Sequence, residues 1–573
     1  MLDIGNFTLE RAHLIINTLY TLGVRYFCVA PGSRSTPLAL AFSKLPKECR
    51  CVHFDERGLG FHALGFAKAS KTPVVIIVTT GTAVANLFPS IAEASLSRVP
   101  LILLSADRPS ELRDCGANQT MNQAGLFKSF TRWDIDLPLS DPLILDSYIL
   151  STLSYAVSRS LYGPAGPVQI NCMIREPFFS ESDPSPNFAS PCVYEPTQTA
   201  PPLSSFKKWA ELFSTYDKGI ILLGSLAIDE DTTSLLSLAE KMGWPIFSDV
   251  LSGGRQIGDH PYHIEHPEIF LKTFPSIEIE AVLQIGGNIV SKTLTTWLNK
   301  QTIPYFLVTD HPFRQDPHSR VSYKMECKTD LFCETISSFL VEKKNSWVTS
   351  WKDKAASLKK ELDSFFLENK EFSEPSIAYF FKDFSHLFLS NSMPVRDADL
   401  FLFAKEGTAF ITANRGVSGI DGNIATAIGV AKAIKQPLVA LLGDLATLHD
   451  LNSFALLKES SVPIFFIIIN NQGGGIFSFL PVAKKEDVFD EIFATEHSYS
   501  FEAIAKTFSI PFFSASSSEE LNQAWEQCNK MTCIIECKTV RKENVFHHET
   551  IYKKMRDNLC YLTEPSETLT SNL

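Results

Sequence analysis

Short apolar runs, each about as long as one β-strand, alternate with helical stretches along nearly the whole chain. The clearest are VRYFCVA at 24–30, PVVIIVT at 73–79, PLILLSA at 100–106, GIILLGS at 219–225, EAVLQIG at 280–286, PLVALLG at 437–443 and PIFFIIIN at 463–470. Strands that are apolar on both faces are covered on both faces, as in a parallel sheet packed between helices, and their polar residues collect at the carboxyl ends. The pattern predicts an α/β chain with three doubly wound parallel sheets. Two stretches interrupt the alternation. SESDPSPNFASPCVYEPTQTAPPLSS at 180–205 is rich in Pro and Ser, whereas KKNSWVTSWKDKAASLKKELDSFFLENKEF at 343–372 reads as a charged amphipathic helix able to pack across a boundary. They divide the chain into 1–195, 196–350 and 351–573. No short solenoid repeat is visible.

A chain of 573 residues exceeds one hydrophobic core several times over, in keeping with several domains. Hydrophobic residues make up 45% and charged residues 20%, too apolar a balance for disorder. The net charge of -12 excludes a general nucleic-acid binder, because no surplus of Lys and Arg is left for phosphates. The longest strongly apolar run, Pro463 to Ile469, is too short to span a bilayer. The opening residues MLDIGNFTLE lack the basic start and apolar core of a signal peptide, so a cytoplasmic protein is expected. The twelve cysteines match no zinc or CxxC spacing and are read mostly as reduced core residues.

The first candidate chemistry lies in LVALLGDLATLHDLNSFALLK at 438–458, which reads as strand, Gly-Asp turn and helix. The next strand runs into NQGGGIF at 471–477, so Asp444 and Asn471 stand 27 residues apart, about one strand-helix-strand crossover. A right-handed crossover between nearby strands brings both side chains to the same carboxyl edge. A carboxylate oxygen, an amide oxygen and a backbone carbonyl near Gly473 suit a hard cation that also takes phosphate oxygens. The glycines allow the backbone close to a diphosphate. Taken singly, the same residues also read as a helix-capping Asp and an Asn-Gly turn.

GDL followed by NNQGG resembles the diphosphate-binding motif of thiamine-diphosphate-dependent enzymes. Leu445 stands where Gly is usual. That form is similar to one branch, the menaquinone-pathway synthase family that makes 2-succinyl-5-enolpyruvyl-6-hydroxy-3-cyclohexene-1-carboxylate. The resemblance implies thiamine diphosphate and Mg2+ or Mn2+ as cofactors, with Asp444, Asn471 and Gly473 at the metal and Gly443 at the cofactor. It also implies that 1–195 binds the pyrimidine ring, that 196–350 is a central domain and that 351–573 binds the diphosphate.

HFDERGLGFHALGFAKAS at 53–70 looks like the family's activating-glutamate segment, with Glu56 in the matching position. On residues alone, Glu56 beside Arg57 also reads as a helix-start salt bridge, and Asp55, the second acid, is expected to be structural. A carboxyl in an apolar pocket retains its proton towards neutral pH, as activation of the cofactor's aminopyrimidine ring requires. Ile420, in NRGVSGIDGNIATAIGVAKA at 414–433, matches the apolar residue that bends the cofactor, and Phe477 and Leu480 match residues lining the same site. In this superfamily one site is built from two subunits, which implies a homodimer or homotetramer.

Five cations sit in turns that follow strand-like runs: Arg34 after Ser33 in APGSRSTPLALAF, Arg108 in SADRPSELRDCGANQTMNQ, Lys292 in IGGNIVSKTLTTW, Arg396 after Ser392 in LSNSMPVRDADLF, and Arg415 in ANRGVSG. Each alone reads as a surface or capping residue. Together they suggest recognition of several carboxylates, which Arg binds as a two-pronged donor. By resemblance, Arg34, Arg108 and Lys292 hold isochorismate with help from Ser33. Arg396, Arg415 and Ser392 hold the succinyl carboxylate of 2-oxoglutarate, and Asn118 and Gln119 face the reacting centre. Thr293 stands where some members carry Arg. The implied activity is a transferase reaction, decarboxylation of 2-oxoglutarate followed by conjugate addition to isochorismate. Two alternatives stand beside it: an acetolactate-synthase-like enzyme acting on another 2-oxo acid, and a catalytically silent homologue.

Overall fold

The computed structural model describes residues 4–562, apart from 180–189, 196–199, 227–232, 255–256, 259, 344–345, 404–409 and 529. Every one of the seven apolar runs is a strand, and together they form the middles of three six-stranded sheets. The first sheet contains β1 (Tyr26–Val29), β2 (Arg50–Val52), β3 (Val74–Val78), β4 (Leu101–Asp107), β5 (Trp133–Leu137) and β6 (Val168–Met173), in the order β2-β1-β3-β4-β6-β5. The second contains β7 (Gly219–Leu223), β8 (Ile246–Ser248), β9 (His263–Ile264), β10 (Ala281–Ile285), β11 (Tyr305–Thr309) and β12 (Tyr323–Glu326), in the order β12-β11-β10-β7-β8-β9. The third contains β13 (His386–Leu389), β14 (Phe410–Ala413), β15 (Leu438–Gly443), β16 (Ile464–Asn470), β17 (Phe512–Ala515) and β18 (Cys533–Lys538), in the order β14-β13-β15-β16-β18-β17. All neighbouring strands are parallel, as the apolar runs predict.

The first and third sheets share one strand order, and so place a helix in the same position after their second strands. These helices, Glu56–Ser70 and Asn423–Ile434, pack directly on each other through glycine. A Cβ on Gly65 would lie 2.2 Å from the Thr426 carbonyl oxygen, and one on Gly429 would lie 2.1 Å from that of His62. Gly65 stands three residues after His62 and Gly429 three after Thr426, so the two contacts are related like the halves of a two-fold interface. Around them one apolar cluster runs from Tyr26, Ile76 and Leu103 of the first sheet to Ala440, Phe466 and Ile534 of the third.

Helix Ser346–Glu368 crosses a boundary, as its amphipathic pattern suggests. Its Trp351, Leu358 and Leu362 share an apolar cluster with Ile220 and Phe247 of the second sheet and with Phe401 and Met555 further along the chain. Much of the other linker lies outside the described residues, at 180–189 and 196–199. The cysteines are free thiols, most of them buried. No helix among the described residues is long and apolar enough to cross a membrane.

The glycine contact is testable by adding bulk to it. Gly65→Val and Gly429→Val should each lower the free energy of unfolding by about 1–3 kcal/mol or more in denaturant titrations, as overpacking does. Wild-type midpoints in both variants would show that the helices are not held this closely.

Candidate functional site

Strands β15 and β16 are hydrogen-bonded neighbours, so Asp444, the first residue of helix Asp444–His449, and Asn471, immediately after β16, emerge at one carboxyl edge. The Asp444 carboxylate accepts hydrogen bonds from the backbone N–H of Leu445 at 2.6 Å and of Gly473 at 2.9 Å. Asn471 Nδ2 donates to Glu374 Oε1 at 2.8 Å. That bond turns Asn471 Oδ1 the other way, where it is buried with no hydrogen-bond partner. An orphaned buried acceptor beside a carboxylate fits a cation. Space is kept by glycine: a Cβ on Gly475 would lie 2.6 Å from Asn471 Nδ2, and one on Gly473 would lie 2.5 Å from the Ala494 carbonyl oxygen. Among the described residues no group of three or more His, Cys, Asp or Glu is arranged to hold a metal. A cation here would therefore take Asp444, the Asn471 amide oxygen and backbone oxygen, and complete its shell from a ligand's phosphates. That donor set suits Mg2+ or Mn2+ bound together with a diphosphate.

Two residues of this cluster carry no motif. Glu374, at the start of helix Glu374–Phe380, is 1% exposed. Burial, followed by nearby Asp397, pushes its carboxyl up to about 8, against the opposing pull of the Asn471 amide. His497 comes from a loop, and its Nε2 lies 3.3 Å from Asp444 Oδ2 with both side chains 4% exposed. In sequence Glu374 looks like an ordinary helix start, capped by Ser373 and followed by Pro375, and His497 is an isolated loop histidine.

Glu56 begins helix Glu56–Ser70, with Asp55 as the N-cap accepting from Arg57 N at 3.0 Å and Gly58 N at 3.4 Å. Asp55 is thus structural, as expected. The helix-start salt bridge between Glu56 and Arg57 does not form. Arg57 instead donates to the His449 carbonyl at 2.6 Å, at the far end of the helix that begins with Asp444, while Glu56 meets Asn86 Nδ2 at 3.5 Å. Glu56 is half-buried and Ile420 is 36% exposed. Phe477 packs against Phe493 at 6.0 Å between ring centroids, and Leu480 ends the turn Gly475–Phe479. Gly443 is the N-cap of helix Asp444–His449.

The cations fall into groups. At the edge of the first sheet, Arg34 donates to the Ile174 carbonyl at 2.9 Å, stacks on Phe178 and lies 3.3 Å from Glu176. Burial lowers its pKa, and Arg108 pushes it in the same direction. Arg108 donates to Thr80 Oγ1 and to the Asn118 carbonyl, and Gln119 Nε2 donates to the Thr80 carbonyl at 3.1 Å, so these residues share one edge. Ser33 is exposed beside them. In the third sheet Arg396 donates to the Ser392 carbonyl and Arg415 to Asn391 Oδ1 at 2.9 Å. Burial lowers the pKa of both, and Arg415 lowers that of Arg396 further. Lys292 opens helix Lys292–Asn299 and is exposed. Carboxylates stand near these arginines as well, Glu176 and Asp107 by Arg34 and Asp249, Glu93 and Asp399 by Arg415, and the two edges offer guanidinium groups to carboxylate ligands.

Three consecutive doubly wound sheets, with oxygen donors suited to a cation at a strand edge of the last, are the plan of an enzyme that binds a diphosphate cofactor. The chain matches three family models: "Thiamine pyrophosphate enzyme, N-terminal TPP binding domain" over residues 9–126, "Middle domain of thiamine pyrophosphate" over 193–388, and "Thiamine pyrophosphate enzyme, C-terminal TPP binding domain" over 395–537. The same fold is seen in benzoylformate decarboxylase from Polynucleobacter necessarius, with a TM-score of 0.72 over 93% of this chain and 98% of that one at 13% identity. Among curated relatives, the 2-succinyl-5-enolpyruvyl-6-hydroxy-3-cyclohexene-1-carboxylate synthase of Chlorobium phaeobacteroides is 39% identical over 95% of this chain and 97% of its own. Those of Rubrobacter xylanophilus and Shewanella frigidimarina are 36% and 37% identical, over 94% and 91% of this chain and 97% and 93% of their own. The chain belongs to the 2-succinyl-5-enolpyruvyl-6-hydroxy-3-cyclohexene-1-carboxylate synthase family of thiamine-diphosphate enzymes.

The orientation of Asn471 can be tested apart from turnover. In Mn2+ titrations with thiamine diphosphate present, Glu374→Ala should weaken metal binding about 10- to 100-fold, as loss of an outer-shell partner does. Glu374→Gln, which keeps an acceptor for Nδ2, should bind close to wild type. Unchanged affinity in Glu374→Ala would contradict the assignment.

Proposed function

We propose that the chain catalyses decarboxylation of 2-oxoglutarate and conjugate addition of the remaining four-carbon unit to the ring alkene of isochorismate, giving 2-succinyl-5-enolpyruvyl-6-hydroxy-3-cyclohexene-1-carboxylate for menaquinone biosynthesis. The observation that carries the substrate choice is the placing of two arginines at each of two sheet edges, Arg34 and Arg108 at the first and Arg396 and Arg415 at the third. Two dicarboxylates need that much positive charge, and a small monocarboxylate such as pyruvate does not. Relatives carrying the synthase name over nearly the full length support the same reading.

Bound thiamine diphosphate supplies an electron sink for loss of carbon dioxide from the 2-oxo acid and for transfer of the remaining carbon unit. Asp444, Asn471 and backbone at Gly473 hold the cation that fixes the diphosphate. Glu56 shares a proton with a ring nitrogen of the cofactor's aminopyrimidine. Ile420, Phe477 and Leu480 shape the apolar part of the site, and Gly443 gives the backbone close approach. Arg34, Arg108 and Lys292, with Ser33, bind isochorismate. Arg396, Arg415 and Ser392 bind the distal carboxylate of 2-oxoglutarate, while Asn118 and Gln119 face the reacting carbons. The gain comes from positioning and charge neutralisation away from water.

In this reading residues 1–195 bind the pyrimidine, 196–350 form a central domain and 351–573 bind the diphosphate. A second copy of the chain completes each site, as a homodimer or homotetramer in the cytoplasm. Exposed apolar residues beside the site, among them Phe54 at 66% and Tyr499 at 66%, favour a covering subunit.

The reaction is tested by omission. Isochorismate should disappear only when thiamine diphosphate, Mg2+, 2-oxoglutarate and protein are all present. Glu56→Gln should lower that rate by roughly 100- to 10,000-fold, as loss of a general acid–base group does. Equal turnover with pyruvate in place of 2-oxoglutarate would overturn the substrate assignment.

A further inference from the structure

The C-terminal helix Arg541–Leu559 contributes Ile551, Met555 and Leu559 to the apolar cluster that also holds Ile220 and Phe270 from the second-sheet region and Phe401 from the third. It also carries two polar residues on the same face, His548 and Tyr552, one helical turn apart. His548 is 3% exposed, and its Nε2 lies 2.9 Å from Oδ1 of Asp397, which is 0% exposed. Asp397 directly follows Arg396. The Tyr552 hydroxyl donates to Glu268 Oε1 at 3.3 Å. Glu268 in turn accepts from Ser291 Oγ at 2.6 Å and from Thr293 Oγ1 at 2.8 Å, the residues on either side of Lys292. Lys272 closes this cluster, 3.0 Å from Glu268 and 3.5 Å from the centre of the Tyr552 ring.

Apolar side chains would anchor a helix here at less desolvation cost than a carboxylate and an imidazole. What the polar contacts add is direction. Helix Met393–Phe401 is tied on one side by Asp397 to His548 and on another by Asp399, which accepts from Val250 N at 2.9 Å. The start of helix Lys292–Asn299 is tied at both neighbours of Lys292 by one carboxylate. Thr293 is therefore a fastening point, its hydroxyl committed to Glu268.

We propose that the C-terminal helix positions two substrate-binding cations from two different sheets, Arg396 through His548 and Asp397, and Lys292 through Tyr552, Glu268 and Thr293. The proposal rests on the assignment of Lys292 to isochorismate and Arg396 to 2-oxoglutarate. His548, Tyr552 and Glu268 are positioning residues and touch neither substrate.

Steady-state kinetics on the full-length enzyme, saturated with thiamine diphosphate and Mg2+, test it. Tyr552→Phe and Thr293→Val keep the side-chain shape and each remove one hydroxyl. Each should raise the KM for isochorismate about fivefold, the scale of one hydrogen bond, and leave kcat and the KM for 2-oxoglutarate unchanged. His548→Ala should raise the KM for 2-oxoglutarate about tenfold and leave that for isochorismate unchanged, and His548→Gln, which keeps a donor, should recover most of the loss. Equal changes in both KM values, a fall in kcat alone, or wild-type constants throughout would overturn the proposal. Lys292→Ala and Arg396→Ala separate the two levels. If they leave both KM values unchanged, the assignment of the cations falls and the proposal with it. If they raise the expected KM values while the helix variants do not, the positioning role alone falls.

Discussion

Two helices that meet backbone to backbone set the frame for the rest of the chain. At Gly65 and Gly429 no side chain fits between Glu56–Ser70 and Asn423–Ile434, so the first and third sheets are held at one separation. The first of these helices starts with Glu56 and the second follows Ile420, the residue assigned to the cofactor's bend. Arg57, reaching to His449, then ties the start of the first helix to the helix that begins with Asp444. An error of a methyl group at either glycine would be passed directly to the spacing of these groups, because packed cores transmit strain rather than absorb it.

On that frame the site is built by leaving groups unsatisfied. Asn471 Oδ1 and Arg34 Nε are both buried without a hydrogen-bond partner. Under the proposed function, a cation meets the first and a substrate carboxylate the second. Other groups hold these in place: Glu374 accepts from the Asn471 amide, His497 lies against Asp444, Glu268 accepts from Thr293 beside Lys292, and Asp397, next to Arg396, lies 2.9 Å from His548.

The sequence showed the middle of each sheet and little of its edges. The strand pairs β3-β4, β7-β10 and β15-β16 are apolar on both faces and were visible as runs. β5 reads WDIDL and is only partly covered, β12 reads YKME, and β2 has three residues, so none carries a clear periodic signal. β6 is buried yet holds Gln169 and Asn171, whose amides bond to Ser105 and Gln123 across the sheet; their polarity hides the strand. The site divides in the same way. Asp444 and Asn471 follow legible strands at a spacing that physics can interpret, and the resemblance added roles for Glu56 and the cations. Glu374 and His497 reach the same cluster from a helix start and a loop by tertiary packing alone. Thr293 departs from the family pattern in sequence, and its contact with Glu268 depends on tertiary packing of the second-sheet region against the C-terminal helix.

The central claim is that a divalent cation sits between the carboxyl ends of β15 and β16 with Asn471 turned towards it. Anomalous diffraction from crystals grown with Mn2+ and thiamine diphosphate tests this most directly. The account predicts one manganese peak about 2 Å from an Asp444 carboxylate oxygen and from Asn471 Oδ1, with Asn471 Nδ2 still on Glu374. A peak away from these residues, or an Asn471 side chain turned from the metal, would contradict it.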